Sequence, residues 1–570
     1  MSLQATRIGE ARPFSRRRVR VPWGRWGLRW VAIGYLGVAI LLPLSAILKS
    51  GLSDGLRTFW RDVTNPMAFA ALKLTILVAV ITTVINLVMG TLTAYVLERY
   101  EFPGRRLLNS IIDLPFAIPT LVTGVMLVLL YGPQSTLGAW LSSKGIQVIF
   151  NTPGIVVALL LVTYPFVIRA VQPVLRELDR SQEEAAYTIG ATKWTIFRTI
   201  ILPAISPAII TGALLSFARA LGEFGSIVVV AGNIPGRTLT APVYVYGQLE
   251  SYNQRGASAV SVVLLALSFT LMLLVDWMQK RWDIQAETVG AARARTKRPG
   301  LIEWSLIGIG LFYATVLLAG PLVAMTWGAF SEGLTTFWAQ ITSANALSAL
   351  KLTLLLGAGA TLINAILGVC IAWVLVRDDF KGKRFINGMV DLPFAVSPVI
   401  AGLMVILLFG RGGWFTPATD ALGVKIVFAW PGMLLATVFI SLPFIIREVM
   451  PVLAQVGVEQ EQAAYTMGAT GLQAFRHITL PSIKWGLFYG ISLTLARSIG
   501  EFGTVLVVSG GVSGLTETST LFIFRSLDDR NYTAAYATSL LLACITFIIF
   551  IMMEFFRREV MTHDGAAEGV

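Results

Sequence analysis

The sequence predicts an all-α polytopic membrane protein of about 12 transmembrane helices, arranged as two parallel six-helix repeats. The 570 residues are 55% hydrophobic and 14% charged, with a mean hydropathy of +0.72, which is too apolar for a soluble globular chain. Apolar runs of about 20 residues, long enough to cross a bilayer, recur along the chain. Segments in lipid must satisfy their backbone hydrogen bonds internally, so each run is predicted to be helical.

Twelve apolar runs are predicted to be membrane spans, six in each half of the chain. Those of the first half lie near 31–48, 69–97, 107–131, 154–172, 203–231 and 257–278. Those of the second half lie near 304–327, 347–375, 385–409, 432–450, 481–509 and 535–556. Because six is an even number, both halves enter the membrane from the same side. The repeats are therefore predicted to be related by an axis along the membrane normal.

The repeat has a constant offset of 278 positions. Residues 183–203 read EEAAYTIGATKWTIFRTIILP and residues 461–481 read EQAAYTMGATGLQAFRHITLP, with 13 of 21 positions identical. The same offset aligns DLPFA at 113–117 with DLPFA at 391–395, and ARALGEFG at 218–225 with ARSIGEFG at 496–503. A repeat of this length excludes a short solenoid period and indicates two copies of one large unit.

The net charge of +13 is concentrated in loops that fall on one side of the predicted membrane. Arginine and lysine residues cluster before the first span, after the second, fourth and sixth spans, and after the last span. This distribution follows the positive-inside rule and predicts that both termini face the cytoplasm. It also argues against nucleic-acid binding, which requires the basic residues to form one patch or stripe.

The domain boundaries are predicted from the spans and the charge. Two membrane domains are preceded, joined and followed by a basic cytoplasmic segment, a cytoplasmic linker and a C-terminal tail. The segments in chain order are 1–29, 30–281 (first membrane domain), 282–303 (linker), 304–557 (second membrane domain) and 558–570. Cys370 and Cys544 both lie inside predicted spans, so neither a disulfide framework nor a metal site is predicted.

The repeated segments 183–203 and 461–481 lie in inside loops between the fourth and fifth spans. Ser181 is predicted to cap a short helix that carries acidic residues in its first turn. A glycine then interrupts this helix, and a second helical stretch runs to Pro203. Small side chains leave a shallow surface for another protein, although the segment alone also fits an ordinary interfacial helix. The positions concerned are Glu183, Glu184, Ala185, Ala186 and Gly190, and Glu461, Gln462, Ala463, Ala464 and Gly468.

This pattern and spacing resemble the coupling loop of permease subunits of bacterial ATP-binding-cassette (ABC) importers, so segments 183–203 and 461–481 are called coupling segments below. The resemblance implies the type I importer fold, with short helices that dock into a groove on two ATPase subunits. Gln462 departs from the pattern where the first copy has Glu184. Neighbouring Glu461 is expected to keep a carboxylate near that contact.

The stretches DLPFAIPT (113–120) and ARALGEFG (218–225) are similar to those of sulfate/thiosulfate permeases and their molybdate relatives. The first copy resembles one sulfate permease subunit over nearly its whole length, and the second copy, with DLPFAVSP (391–398), resembles the other. The resemblance implies a fusion that supplies the whole pore, and a periplasmic or lipid-anchored oxyanion-binding protein as partner. Molybdate and tungstate remain alternatives, with ferric iron and polyamines less favoured.

Ionisable residues recur inside the fifth spans as Arg219 with Glu223, and Arg497 with Glu501. Residue 219 lies 16 positions past Pro203, roughly 24 Å along a helix, inside or near the far edge of the hydrocarbon layer. The i, i+4 spacing allows the members of each pair to meet on one helix face. Two roles stay open: an ion pair that braces the helix, or a translocation path in which Arg219 and Arg497 face each other and ease a divalent anion through.

Three further sets of residues recur inside the spans. Asn86 and Asn364 are expected to hydrogen-bond between helices. Asp113 and Asp391 are expected to N-cap helices, in preference to a gating role. The prolines predicted to kink the third spans are Pro115, Pro119, Pro393 and Pro398.

No Gly-x4-Gly-Lys-Ser/Thr loop occurs in the sequence, so the chain is not predicted to hold ATP phosphates. An importer permease would depend on two cytoplasmic ABC ATPase subunits that use ATP and Mg²⁺, and would itself bind no cofactor and be no enzyme. A secondary transporter is the competing hypothesis, because it would also show 12 spans, but it would not need coupling segments. The sequence therefore predicts an ATP-driven importer permease of the bacterial cytoplasmic membrane, most simply for sulfate or thiosulfate.

Overall fold

The computed structural model describes residues 23–179, 181–286 and 300–567, and within these ranges the fold is built from α-helices without a β-strand. The main helices of the first half are α1 (Gly27–Leu52), α2 (Pro66–Arg99), α3 (Arg105–Ala117), α4 (Thr120–Tyr131), α5 (Thr152–Glu177), α6 (Ser181–Thr188), α7 (Lys193–Leu221), α8 (Gly225–Val230), α9 (Ala241–Glu250) and α10 (Gln254–Ala286). Those of the second half are α11 (Ile302–Phe330), α12 (Ala344–Arg377), α13 (Lys383–Ala395), α14 (Pro398–Phe409), α15 (Trp430–Gln455), α16 (Glu459–Thr466), α17 (Gly471–Ile499), α18 (Gly503–Ser509), α19 (Ser519–Asp528) and α20 (Tyr532–Ala567). Four short helices lie between them, at Leu56–Val63, Thr136–Ser143, Leu334–Ile341 and Thr416–Ala421.

In the described part of the chain, nine helices are long and apolar enough to cross a membrane, and the number rises to 12 if each of three bent pairs counts as one span. The predicted all-α membrane class is therefore confirmed. Most of the predicted N-terminal segment and linker, residues 1–22 and 287–299, lie outside the described residues, and their cytoplasmic placement stays a prediction.

The third predicted span of each half is a pair of separate helices rather than one kinked helix. The angle between α3 and α4 is 114°, and the angle between α13 and α14 is 109°. Pro119 and Ser397 lie at the breaks with extended backbone, and proline removes a backbone donor there in the first half. The last turns of α3 and α13 are separate short helices, Leu114–Ala117 and Leu392–Ala395. Pro115 and Pro393 lie in their first turns, where proline is tolerated, so they do not produce the break.

The fifth predicted span is also interrupted in both halves. Helix α7 ends at Leu221 and α8 begins at Gly225, while α17 ends at Ile499 and α18 begins at Gly503. The second pair is bent by 55°. The predictions of single spans at 203–231 and 481–509 were therefore wrong, because the Gly-Glu-Phe-Gly stretch leaves the helix inside an otherwise apolar run.

The first helix of each half packs against the other half. Helix α1 packs against α12 and α14 of the second half, and α11 packs against α2 and α4 of the first half. The Nε atom of Arg29 lies 3.1 Å from Oδ2 of Asp378 across this contact. Reciprocal contacts of this kind define an approximate two-fold relation between the halves.

Equivalent polar contacts hold the second and fourth spans together within each half. The Asn86 amide donates to the Thr163 hydroxyl at 2.8 Å, and the Asn364 amide donates to the Ser441 hydroxyl at 2.9 Å. All four side chains are buried. The interhelical role predicted for both asparagines is confirmed.

Candidate coupling and translocation sites

Each coupling segment folds as a short helix, a glycine turn and the start of the fifth span. Gly190 and Gly468 follow α6 and α16 with φ angles of 85° and 88°, in the left-handed region that favours glycine. No atom lies within 4 Å of a Cβ added at either position, so the backbone conformation rather than space selects glycine. The predicted glycine interruption is confirmed in both halves.

The start of α6 differs from the prediction. The backbone N–H and the hydroxyl of Ser181 donate to the carboxylate of Asp179, at 2.9 Å and 2.6 Å. These hydrogen bonds lower the pKa of Asp179. Ser181 is itself the first residue of α6, and the acceptor observed at this end of the helix is Asp179 rather than the predicted Ser181.

Buried ion pairs tie both coupling segments to the second spans. Glu183 Oε1 lies 2.6 Å from Nη2 of Arg99, and Glu461 Oε1 lies 3.2 Å from Nη2 of Arg377. The Thr479 hydroxyl also donates to Glu461 at 2.9 Å. Glu461 is buried, so it does not offer the surface carboxylate expected beside Gln462. Glu183 and Glu461 are internal contacts, whereas Glu184 and Gln462 are exposed.

The exposed face of each coupling segment consists of an alanine and of large apolar side chains. Ala185 and Ala463 are exposed, whereas Ala186 is half-buried and Ala464 is buried against the protein. Large apolar side chains next to them also face outward at equivalent positions, with 85% of Ile189, 83% of Met467, 68% of Trp194 and 77% of Leu472 exposed. Grouped apolar side chains of this kind fit a surface that contacts either another protein or the membrane interface.

One contact distinguishes the two coupling segments. Lys193 at the start of α7 forms an ion pair with Glu303 of α11, which belongs to the second half. The counterpart of Lys193 is Gly471, which has no side chain to repeat this pair. The first coupling segment is therefore attached to both halves of the protein.

A bidentate ion pair joins the first helix of each third span, α3 or α13, to the fourth span, α5 or α15. Arg169 Nε lies 2.6 Å from Asp113 Oδ1, and a second guanidinium nitrogen contacts the other carboxylate oxygen. Arg447 and Asp391 repeat this pair. Neither aspartate makes a side-chain capping hydrogen bond, so their predicted N-cap role was wrong. The planar guanidinium matches a carboxylate in two places, which makes it the stronger partner.

We expect Asp113→Asn to lower the stability of the protein, because it leaves the Arg169 guanidinium without its counter-charge. The loss should be no more than about 3 kcal/mol, since the pair retains some solvent access. Thermal unfolding in detergent measures the change. Asp529→Asn is the control, because Asp529 and Arg525 form an exposed pair at 4.0 Å. Equal unfolding temperatures for the two variants would contradict the structural role of Asp113.

The break of the fifth span is stabilised by the glutamates predicted from the sequence. Glu223 Oε1 accepts hydrogen bonds from the backbone N–H and hydroxyl of Ser226, both at 2.9 Å, and Glu501 does the same for Thr504. The other carboxylate oxygen of Glu223 lies 2.6 Å from Nη2 of Arg219. Each glutamate therefore caps the helix after the break while it pairs with the helix before it.

The arginines of these pairs are more accessible than the glutamates. In the second half, Arg497 Nη1 lies 2.7 Å from Glu501 Oε2. About a fifth of each arginine side chain is exposed, whereas both glutamates are buried. The bracing role predicted for the i, i+4 pairs agrees with this geometry, and a direct role of Arg219 and Arg497 in anion passage stays a prediction.

The sequence analysis missed four arginines that hold these sites. They share two signals, an exact counterpart at the 278-residue offset and a charge inside or at the end of an apolar run. Such charges face a protein partner or a pore. The residues are Arg99, Arg169, Arg377 and Arg447.

The chain is similar to known transport proteins in both halves. The model of the family "Binding-protein-dependent transport system inner membrane component" matches residues 86–284 and 365–562. The sulfate transport system permease protein CysW of Synechococcus elongatus is 44% identical over 252 residues, covering 44% of this chain and 88% of its own length. The sulfate transport system permease protein CysT of Escherichia coli is 41% identical over 248 residues, covering 44% of this chain and 90% of its own length.

A probable sulfate transport system permease protein cysT of Nephroselmis olivacea is 43% identical over 259 residues, covering 45% of this chain and 90% of its own length. Among solved structures, a bacterial alginate ABC transporter in complex with an alginate pentasaccharide-bound periplasmic protein is similar with a TM-score of 0.40. Its sequence identity is 18%, and the match covers 45% of this chain and 94% of that one.

The three sulfate permease relatives align over most of their own length but over less than half of this chain, which agrees with a fusion of two permease units. The family model matches each half once, with a spacing close to the internal repeat. The chain belongs to the family of inner membrane components of binding-protein-dependent transport systems, and it carries the family's domain twice.

Proposed function

We propose that the chain is the complete permease of an ABC importer that moves sulfate or thiosulfate inward across the bacterial cytoplasmic membrane. The observation that carries the coupling part of this proposal is the pair of equivalent exposed apolar faces on the coupling segments. The similarity to permeases named for sulfate supports the substrate. Two ATPase subunits, one on each face, would supply the energy from ATP and Mg²⁺.

The packing provides a mechanical route from the coupling segments to the interior. Helix α7 runs without interruption from Lys193, next to the exposed face, to Leu221 at the break of the fifth span. The Glu183–Arg99 pair connects the same segment to α2. A displacement imposed on the coupling segment by an ATPase therefore moves α2 and α7 together, and its effect reaches the break around Glu223.

An oxyanion passing between the halves would meet the partly exposed guanidinium groups of Arg219 and Arg497. Their glutamate partners are buried, so each arginine presents positive charge while its helix stays braced. A binding protein on the outer side would deliver the anion and account for most of the selectivity. Molybdate and tungstate are the alternative substrates, because the same charge attracts any tetrahedral dianion. Both termini are placed in the cytoplasm in this proposal.

Reconstitution of the full chain with its ATPase subunits and binding protein tests the proposal. We expect radiolabelled sulfate to accumulate in proteoliposomes only when ATP, Mg²⁺ and the binding protein are all supplied. Competition with unlabelled thiosulfate, molybdate and tungstate ranks the substrates. Accumulation without ATP hydrolysis would overturn the proposal in favour of a secondary transporter.

We expect the Arg219→Leu/Arg497→Leu double variant to reduce ATP-driven sulfate uptake at least about tenfold, because the path loses both positive charges. The buried glutamates also lose their counter-charges, so folding is checked by thermal unfolding. Arg61→Leu is the control, because Arg61 is exposed in a short helix outside the fifth spans. Undiminished sulfate uptake by the double variant would remove both arginines from the translocation path.

A further inference from the structure

Two phenylalanines from opposite halves stack against each other. Phe224 and Phe502 are counterparts at the 278-residue offset, and each lies within the break of a fifth span. Their ring centroids are 5.9 Å apart and their planes differ by 16°. Both side chains are buried. A residue that contacts its own counterpart lies on the two-fold axis that relates the halves.

Two further counterparts extend this contact into a cluster of four rings. Tyr246 of α9 packs on Phe224 with a centroid distance of 5.6 Å, and Phe524 of α19 packs on Phe502 at 5.3 Å. Phe224, Tyr246, Phe502 and Phe524 are called the aromatic cluster below. The cluster is apolar and lies on the axis, so it blocks the route that a solute would follow between the halves.

Backbone segments of the two halves lie close together beside the aromatic cluster. A Cβ added at Gly500 would lie 3.2 Å from Cα of Pro119 in the other half, and a Cβ at Gly222 would lie 3.4 Å from the carbonyl oxygen of Ala395. The breaks of the third and fifth spans therefore meet across the interface in both directions. A Cβ at Gly503 would also lie 3.1 Å from the Phe224 ring, so glycine there leaves room for the stack.

The aromatic cluster lies at the end of the fifth spans that is far from the coupling segments. Leu202–Leu221 contains 20 helical residues, which corresponds to about 30 Å between the coupling segment and the break. With the coupling segments in the cytoplasm, the cluster lies on the outer side of the membrane. This step rests on the proposed function, whereas the position of the cluster on the axis does not.

Acidic side chains lie beside the aromatic cluster on the helices that carry Tyr246 and Phe524. The Tyr246 hydroxyl donates to Glu250 at 2.7 Å. Asp528 is the counterpart of Glu250, and partial desolvation together with the negative charges of Asp529 and Glu250 raises the pKa of Asp528. Arg525 on the same helix as Phe524 pairs with Glu517 and Asp529, so charges of both signs lie beside the rings.

We propose that the aromatic cluster is the outer gate of the translocation path, and that separation of Phe224 from Phe502 opens it. The Arg219–Glu223 and Arg497–Glu501 pairs position the gate, since each glutamate directly precedes one of the stacked phenylalanines. An apolar constriction on the axis excludes a hydrated dianion until its walls part. The gate is therefore controlled by the same helix breaks that α7 and α17 connect to the coupling segments.

Passive leak of sulfate tests this gate without ATP. We expect proteoliposomes that contain Phe224→Ala/Phe502→Ala to release preloaded radiolabelled sulfate at least about tenfold faster than wild type. Phe439→Ala/Phe522→Ala is the matched control, because it removes two buried phenylalanines that do not belong to the aromatic cluster. A folded Phe224→Ala/Phe502→Ala variant that leaks no faster than this control would overturn the proposal. The assay needs no ATPase subunit, so its outcome is separate from the test of the proposed function.

Cross-linking gives a second test, in which a covalent link between the halves, instead of the two stacked rings, holds the gate closed. Phe224→Cys/Phe502→Cys is prepared with Cys370→Ser/Cys544→Ser, and a protease site is inserted in the 287–299 linker so that cross-linked halves stay together on a gel. We expect a short bifunctional thiol reagent to join the halves and to stop ATP-driven uptake, with recovery on reduction. Failure to join the halves, or full uptake by the joined protein, would overturn the gate.

Discussion

Replacing Glu183 and Glu461 together by glutamine is expected to separate ATP hydrolysis from transport while the ATPase subunits stay bound to the chain. Both carboxylates pair with a buried arginine side chain at the end of a second span and do not lie on the exposed face of the coupling segment. Leaving a buried guanidinium without its counter-charge costs about 3 kcal/mol or more. We expect each coupling segment to lose its attachment to α2 or α12, so that ATPase motion no longer moves these helices together with α7 and α17.

ATPase activity and sulfate uptake measured in the same proteoliposomes check this prediction, and Glu184→Gln is the matched control. Glu184 is exposed, and Gln462 already occupies the equivalent position of the second half. The control makes the two halves alike at this position and should keep near-normal uptake. Normal uptake in Glu183→Gln/Glu461→Gln, or a large loss in Glu184→Gln, would contradict the assignment of the two carboxylates.

The features that sequence predicted well depend on neighbours along the chain. The glycine turn at Gly190 and Gly468 follows from a local conformation that other residues rarely adopt, so its position is readable from the pattern alone. The membrane class follows from the length and apolarity of the runs. The two-fold arrangement follows from the repeat, because two copies of one fold that bury a shared surface tend to pair symmetrically.

The features that sequence missed depend on partners distant along the chain. Asp113 was predicted to cap a helix because it lies at the inner end of the third span, but its partner Arg169 lies 56 residues away. Glu461 looked like a surface substitute for the exposed Gln462, but it pairs with Arg377, 84 residues earlier. A local sequence pattern predicts a helix cap or an exposed helix face correctly only where no charged side chain of another helix binds the same residue more strongly.

The break of the fifth span shows how polar capping overrides an apolar run. Hydropathy alone extends the span to residue 231 because the residues after the break are valine-rich. Glu223 nevertheless satisfies the backbone and hydroxyl of Ser226, which allows a new helix to start inside the protein. This capping places Phe224 outside both helices, so its ring can reach the two-fold axis. The signal in the sequence was a buried charge followed three residues later by serine or threonine in both halves.

Ala185→Arg/Ala463→Arg is expected to abolish copurification of the ATPase subunits and, with it, ATP-driven uptake. Both alanines are exposed at equivalent positions beside large apolar side chains. Arginine adds bulk and an unpaired charge to a surface that is otherwise shallow and apolar, and burying such a charge in an interface costs several kcal/mol, of order 3 or more. The fold itself should be unaffected, because neither Cβ is packed inside the protein.

Ala139→Arg/Ala418→Arg is the matched control, since both alanines are exposed on short helices that follow α4 and α14, away from the coupling segments. It adds the same charge and volume, and the ATPase subunits should still copurify. The single variants Ala185→Arg and Ala463→Arg should each retain one ATPase subunit, because each coupling segment carries its own face. If Ala185→Arg/Ala463→Arg bound both subunits and transported sulfate normally, the exposed faces would not be docking surfaces, and the main support for an ATP-driven permease would be lost.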